Sequence, residues 1–342
     1  MRTNSMQVIC GALIALAIGN SSVWAAKPKA VPQTPLTETG QKLETRYADQ
    51  LKRLRTELTA TVPQNDQATA DTLNQLLASD ALDAKFAKYV VLLEATPHGL
   101  AEFAQQGKDQ AALVEKMLAD TDLLKQMLVA DGANAKREGR RGYGPAQYGQ
   151  AMKIYTDIQN VTKKAATGVL QRLALAISLE HAVPIGQTNP TAQADASETL
   201  DPVKRYLHYE KAFLGGELDP AFDGLSAWEL RMVVNGDEPD ETLAWGREML
   251  RNYRPDHIYN SNFGWRYVSI VGSDVKYGSG NVKYDRPELQ KYQNILMNGG
   301  VCGRRAFIGR FILRAFGIPT IARPSRGHGA LAHCTQKGWV VN

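Results

Sequence analysis

A helix that begins at a cysteine constrains this 342-residue chain more than any other feature of its sequence. The cysteine, Cys302, lies within residues 299–306, which read GGVCGRRA. Apolar residues then recur three and four positions apart as far as Phe316, which is the spacing of a helix with one wide buried face. Gly317 suits a left-handed cap, and Pro319 cannot continue a helix. The sequence therefore predicts a helix from about Cys302 to Gly317.

The first turn of a helix is a favourable place for a thiolate. The unpaired backbone N–H groups and the helix dipole favour an anion there, and the same N–H groups can bind an oxyanion. Arg304 and Arg305 add positive charge nearby. Gln293 lies upstream and could reach an oxyanion, but a surface glutamine is the favoured interpretation. A buried structural cysteine is the alternative for Cys302, but the flanking glycines and the histidines downstream favour a nucleophile.

The segment from Gly299 to Asn342 resembles the core of the transglutaminase-like superfamily. The resemblance rests on Gly-Val-Cys, the helix that follows, and Arg-Ala-x-Gly-Ile-Pro at residues 314–319. It implies a nucleophilic cysteine that opens a helix packed on an antiparallel sheet, with a histidine on the next strand and an acid on the one after. The expected fold is therefore α+β, with an α-helical N-terminal region before the transglutaminase-like core.

Two histidines compete for the role of base. His328 stands in a Gly-His-Gly-Ala run and has the family's spacing to Gly338 and Trp339. His333 lies five residues after His328, an odd offset that turns the two side chains to opposite faces of one regular strand. We expect His328 to face Cys302, and His333 to be a polar strand residue or part of a pocket wall.

The third member of the implied triad falls on Asn342, where the family usually has Asp. An asparagine can accept the imidazole N–H and fix its tautomer, as in papain-like sites, but it has no charge to stabilise an imidazolium. Asn342 is the final residue. Because a triad at a free carboxyl terminus is unexpected, we expect the chain to be a fragment or an early-terminated form of a longer protein.

Cys334 is the other cysteine outside the N-terminal segment. Its even offset from His328 predicts that the two lie on the same strand face. An oxidising compartment would permit a disulfide between Cys302 and Cys334 that inactivates the enzyme. A spectator thiol is the simpler interpretation.

The first 25 residues have the features of a cleaved secretory signal peptide. Arg2 supplies the positive charge, residues 8–18 form an apolar run too short for a comfortable membrane span, and small residues precede a cut after Ala25. We expect a secreted or periplasmic protein with no stable membrane span after cleavage. Removing Arg2 takes the net charge from +5 to about +4. The basic run at 136–141 is typical of a solvated loop, and nucleic-acid binding is not expected.

Composition divides the remainder of the chain. Residues 26–37 are Pro-rich and predict a linker, and helical periodicity over 38–184 predicts an α-helical domain. Residues 185–201 predict an exposed connector, and residues 202–342 the transglutaminase-like domain. Within that domain we expect a helix over 241–252, a β-rich stretch at 267–271, and a hairpin or mobile loop over 275–282.

Two functions of different classes follow. The first is an exported cysteine enzyme that uses Cys302, His328 and Asn342 on protein or peptide amides through a thioester, with hydrolysis favoured over crosslinking. No metal or cofactor is expected. The second is a non-catalytic transglutaminase-like binding or assembly module of the cell envelope. Fast alkylation of Cys302 near neutral pH is expected of the enzyme alone.

Overall fold

The computed structural model describes residues 34–63, 68–79, 82–133, 144–187, 199–323 and 326–342. These residues are mainly helical and include a small three-stranded antiparallel sheet, so the expected α+β class is confirmed in general terms. The chain divides into two compact units, with the division after Gly149. The predicted signal peptide and most of the predicted linker lie outside the described residues.

The first unit holds six helices in its described part. They are α1 (Glu38–Thr61), α2 (Ala70–Ala78), α3 (Asp83–Ala95), α4 (Pro97–Ala104), α5 (Lys108–Ala119) and α6 (Thr121–Ala130). Side-chain caps fix where several of them begin: Thr37 accepts from the Gly40 N–H at 3.1 Å, and Asp120 accepts from the Leu123 N–H at 3.0 Å. Their apolar faces meet in a fully buried core that includes Val91, Leu92, Leu100, Met117 and Met127.

The second unit carries the remaining helices and the sheet. The division between the units falls within α7 (Tyr148–Val161), and the later helices are α8 (Gly168–Glu180), α9 (Pro202–Leu214), α10 (Ala227–Val234), α11 (Asp240–Tyr253), α12 (Pro255–Ile258), α13 (Ser269–Ser273), α14 (Lys291–Asn298) and α15 (Cys302–Ala315). Short 3-10 helices span Lys163–Ala166, Pro220–Gly224 and Val282–Tyr284. The strands are β1 (Thr320–Ala322), β2 (Leu331–Thr335) and β3 (Gly338–Val341), in the order β1-β2-β3.

The second unit begins earlier in the chain than the predicted connector at 185–201. Helix α8 packs against α9 and α10, and its residues 173–177 are completely buried. Helical periodicity in the sequence predicts that α8 has a buried face. It does not indicate to which of the two compact units that face belongs. At the connector itself, Gly186 and Thr199 form an isolated antiparallel bridge.

Two local predictions in the second unit are wrong. Residues 267–271, expected to be β-rich, lead into the short helix α13, because Tyr267 has a φ of 65° that interrupts any extended run. Val268 and Ile270 are buried there, so packing overrides their β preference. Residues 275–282 do not form a hairpin, since Tyr277 instead pairs in parallel with Gly300.

Helix α15 runs through the core of the second unit. It begins at Cys302, and its end at Gly317 is confirmed by a φ of 74° and by the Gly317 N–H bond to the Arg314 carbonyl at 2.9 Å. Phe311 is fully buried where α11 crosses α15. A Cβ on Gly246 of α11 would lie 2.7 Å from the Phe311 ring, so glycine permits this close approach.

A buried ion pair holds the C-terminal end of α15. Nη1 of Arg314 donates to Oε1 of Glu238 at 2.9 Å, and Nε donates to the Asn235 side chain at 3.1 Å. Arg314 is 4% exposed and Glu238 is 1% exposed. Removing one partner of such a pair leaves an uncompensated buried charge, which costs more than the pair itself contributes.

Replacement Arg314→Met should therefore lower the free energy of unfolding by about 3–5 kcal/mol, measured by urea denaturation. The double variant Arg314→Met/Glu238→Gln should recover a large part of this loss, because the carboxylate left without a partner is neutralised. A single variant as stable as the wild type would contradict the assignment.

Candidate functional site

A cleft of about 190 Å³ opens at the N-terminal end of α15. Its walls are largely apolar and are formed by Trp265, Val268, Val271, Tyr277, Ala306 and Leu331. The polar side chains along it are those of Cys302, Arg305, His328 and Asn342. The structure thus brings the three predicted site residues, which come from the start of α15 and the segments after it, to one cleft.

Two glycines set the point at which α15 begins. The Gly300 N–H donates to the Lys276 carbonyl at 3.0 Å, and the Gly278 N–H donates to the Gly300 carbonyl at 3.3 Å. Gly299 has a φ of 72°, and a Cβ there would overlap the Lys276 carbonyl oxygen. Only glycine fits both the conformation and the space. Cys302 is therefore fixed at the first turn, where unpaired N–H groups face the cleft end of the helix.

The two arginines after Cys302 have different surroundings. Arg304 donates to both oxygens of Asp285, at 2.6 and 3.2 Å, and Asn298 donates to the same carboxylate at 2.9 Å. The Arg304 guanidinium is the main cause of a lowered pKa at Asp285. Its charge is thus largely neutralised by a local pair. Arg305 instead lines the cleft.

His328 lies at the mouth of the cleft with an exposed side chain. The expectation that both histidines lie on one regular strand is wrong, because β2 begins only at Leu331. Gly329 connects this segment to Cys302: its N–H donates to Sγ of Cys302 at 3.3 Å. A Cβ on Gly329 would come within 2.9 Å of the Gly303 Cα. Glycine is therefore needed for residue 328 to reach the start of α15.

Asn342 is held in the cleft by both its backbone and its side chain. Its N–H donates to the Leu331 carbonyl at 2.9 Å and its carbonyl accepts from the Leu331 N–H at 3.1 Å. Its Nδ2 donates to the Gly264 carbonyl at 2.7 Å, which leaves Oδ1 as an acceptor. Within the described part of the chain, neither ring nitrogen of His328 has a hydrogen-bond partner, so Asn342 does not orient that ring in this structure.

His333 occupies a separate place. It pairs with Thr320 and Val340 in the sheet, is 1% exposed, and borders a smaller cavity of about 50 Å³. Neither of its ring nitrogens has a hydrogen-bond partner among the described residues. Burial lowers the pKa of His333 to about 4. It is a pocket-wall residue and lies outside the Cys302 cleft.

Cys334 borders the smaller cavity as well, opposite Trp339 in the β2–β3 pair. Cys302 and Cys334 are both free thiols. Burial and, to a lesser degree, the Glu229 carboxylate raise the pKa of Cys334. This environment fits the predicted spectator thiol rather than a disulfide partner of Cys302.

Gln293 lies outside the cleft, whereas Arg305 lies in it. Oε1 of Gln293 accepts from the Gln290 N–H at 2.9 Å and caps the start of α14, so the side chain has a structural role. The cleft position of Arg305 was missed, although its spacing of three residues from Cys302 places both on one helix face. No spacing or motif in the sequence indicated that Trp265 would also line the cleft.

The described residues contain no group of three or more His, Cys, Asp or Glu side chains arranged to hold a metal ion. None of the described helices combines the length and apolar character required to cross a bilayer. Comparisons of the chain with models of protein families, with curated proteins and with solved structures gave no match.

The Gly329 contact can be tested by adding one methyl group. In Gly329→Ala, the new Cβ forces the 328–329 backbone away from Gly303, and we expect a loss of about 1–3 kcal/mol in the free energy of unfolding. Gly303→Ala is the matched control, since a Cβ there meets no atom within 4 Å and alanine favours a helix. Equal effects of the two changes on urea unfolding would refute the close approach.

Burial of His333 predicts a dependence of stability on pH. With a folded pKa of about 4 and an unfolded value of about 6.5, the unfolded chain binds the proton first, so stability falls as the pH drops from 6.5 towards 4. Between pH 7 and pH 5, the wild type should lose about 2 kcal/mol more than His333→Phe. Burial also lowers the pKa of His208, to about 3, so part of the slope should remain in the variant. Identical slopes in urea unfolding would contradict this assignment.

Proposed function

We propose that the second unit is a transglutaminase-like cysteine enzyme that acts on protein or peptide amides through a thioester. The observation that carries the proposal is the meeting of Cys302, His328 and Asn342 in one cleft at the start of α15. The order of a cysteine-bearing helix followed by antiparallel strands is the one that the resemblance implies. Helix α15 packs against β1 and β2, which supports a helix-on-sheet core.

Cys302 is the nucleophile in this proposal. Its sulfur attacks the amide carbon, a C–S bond forms, and the carbonyl π electrons move to the oxygen. Unpaired N–H groups of the first turn of α15 stabilise that oxyanion. When the tetrahedral intermediate collapses, the C–N bond breaks and the amine leaves with a proton. The product on the enzyme is a thioester of Cys302.

His328 is the general base and acid. It takes the thiol proton, returns it to the leaving amine, and then removes a proton from the acceptor that attacks the thioester. Its exposed position allows water to reach the thioester, and we therefore favour hydrolysis over transfer to an amine. Oδ1 of Asn342 is the group that accepts the imidazole N–H when the ring turns inward.

The alternative is a non-catalytic binding module in which the same fold has lost the chemistry. One observation favours it: the Asn342 amide donates to Gly264 while the His328 ring has no hydrogen-bond partner among the described residues. Both functions are proposed for an exported protein. Export rests on the signal peptide predicted for the first 25 residues.

The reactivity of Cys302 distinguishes the two functions. At pH 6 an ordinary thiol is more than about 99% protonated and reacts slowly with iodoacetamide. In the enzyme, His328 accepts the thiol proton, so Cys302 should be labelled at least about tenfold faster than Cys334, measured by mass spectrometry of the two peptides. His328→Ala should remove most of this advantage.

His333→Ala is the matched control and should change the labelling of Cys302 much less. The reverse ranking would transfer the role of base to His333. If neither change affects the rate, the binding module is the correct function. Cys302→Ala should also abolish amide cleavage or crosslinking without loss of the fold, and full activity in that variant would exclude the enzyme.

A further inference from the structure

The cleft contains a cation that the proposed chemistry does not use. Arg305 follows Cys302 by three residues on α15, which places both side chains on one helix face. Arg305 lines the cleft together with Cys302 and His328. Any substrate held at the thiol therefore lies within reach of this guanidinium.

Two contacts hold Arg305 in place without neutralising it. Its Nη1 donates to the Val275 carbonyl at 3.0 Å, and its guanidinium carbon lies 5.4 Å from the centre of the Tyr277 ring. Both contacts orient the planar group, and they leave Nε and Nη2 as donors. Within the described part of the chain, no carboxylate lies within ion-pair distance of Arg305.

Several other arginines of the second unit are paired with carboxylates. Arg304 contacts Asp285, Arg314 contacts Glu238, and Arg254 contacts Asp256 and Asp274. The described residues that line the cleft include no Asp or Glu, and most of its wall is apolar. In such surroundings a planar guanidinium with free donors favours an anion that takes two hydrogen bonds, as a carboxylate does.

We propose that Arg305 is the specificity-determining residue that binds a carboxylate of the substrate. The proposal rests on the proposed function, because it assigns the substrate class of the same site. On a helix, side chains three positions apart have Cβ atoms about 5–6 Å apart. The carboxylate therefore belongs close to the scissile amide, on the adjacent residue of a peptide, while Trp265 and Leu331 contact apolar parts of the substrate.

Two thiol reagents of equal reach test this assignment. Iodoacetate and iodoacetamide both transfer a two-carbon group to sulfur with loss of iodide, but only iodoacetate carries a carboxylate. On the full chain, at low ionic strength, we expect the ratio of iodoacetate to iodoacetamide rates at Cys302 to fall about tenfold in Arg305→Gln. Arg305→Lys should retain part of the preference. The ratio cancels any effect of the substitution on thiolate formation.

Arg304→Gln is the matched control, because it removes the same charge one residue away where the guanidinium is already paired with Asp285. Its ratio should change less than about twofold. An unchanged ratio in Arg305→Gln, or an equal fall in Arg304→Gln, would overturn the proposal. If the ratio falls as expected while wild-type Cys302 reacts no faster than Cys334, the anion site is retained and only the proposed enzyme fails.

Protection experiments identify the source of the carboxylate. N-acetyl-Gln-Glu-amide presents a side-chain carboxylate, and N-acetyl-Gln-Gln presents a terminal one. Whichever carboxylate is bound should slow iodoacetamide labelling of Cys302 in the wild type and not in Arg305→Gln. N-acetyl-Gln-Gln-amide is the uncharged control, and equal protection by all three peptides would overturn the role of Arg305.

Discussion

The site depends on the close approach of backbone to the first turn of α15. On one side, Gly300 pairs with the 276–278 segment, and a side chain at Gly299 would overlap the Lys276 carbonyl oxygen. On the other side, Gly329 lies against Gly303 and donates to the Cys302 sulfur. Neither approach tolerates a Cβ without movement. The start of α15 therefore lies between two close backbone contacts, and the side chains of residues 328 and 342 line the same cleft as the thiol.

The charges along α15 have different roles because a helix turns by about 100° per residue. Arg304 pairs with Asp285 next to the start of the helix, and Arg314 pairs with the buried Glu238 at its end. Both contacts fix the helix between the elements around it. Arg305 faces the cleft, where it meets a carbonyl and an aromatic ring but no acid among the described residues. Adjacent arginines of identical chemistry thus divide into one that holds structure and one that is available to a ligand.

Local sequence features predicted the bounds of α15 well, but they did not predict which side chains meet in the cleft. The start and end of α15 follow from the glycines around it and from Pro319. These residues restrict the backbone only at their own and neighbouring positions, so their effect can be read from the local sequence. The shared cleft of Cys302, His328 and Asn342 was expected only from the resemblance to a family. The start of β2 at Leu331 was not predictable from local sequence. The Gly329 contact that precedes it is made with Cys302, at the other end of α15. Likewise, residues 267–271 lead into a helix rather than a strand, because burial of Val268 and Ile270 outweighs their β preference.

The two histidines differ in burial, and this difference bears on which of them could serve as the proposed base. His333 is enclosed, and protonating it would place a charge where no described residue can accept a hydrogen bond, which is why its pKa falls to about 4. A group of that kind cannot remain an imidazolium beside a thiolate at neutral pH. His328 is exposed at the mouth of the cleft. Five residues apart in the sequence, the two rings differ in burial and in the cavity they line, and only His328 shares the cleft of Cys302. That difference supports the proposal of His328 rather than His333 as the base.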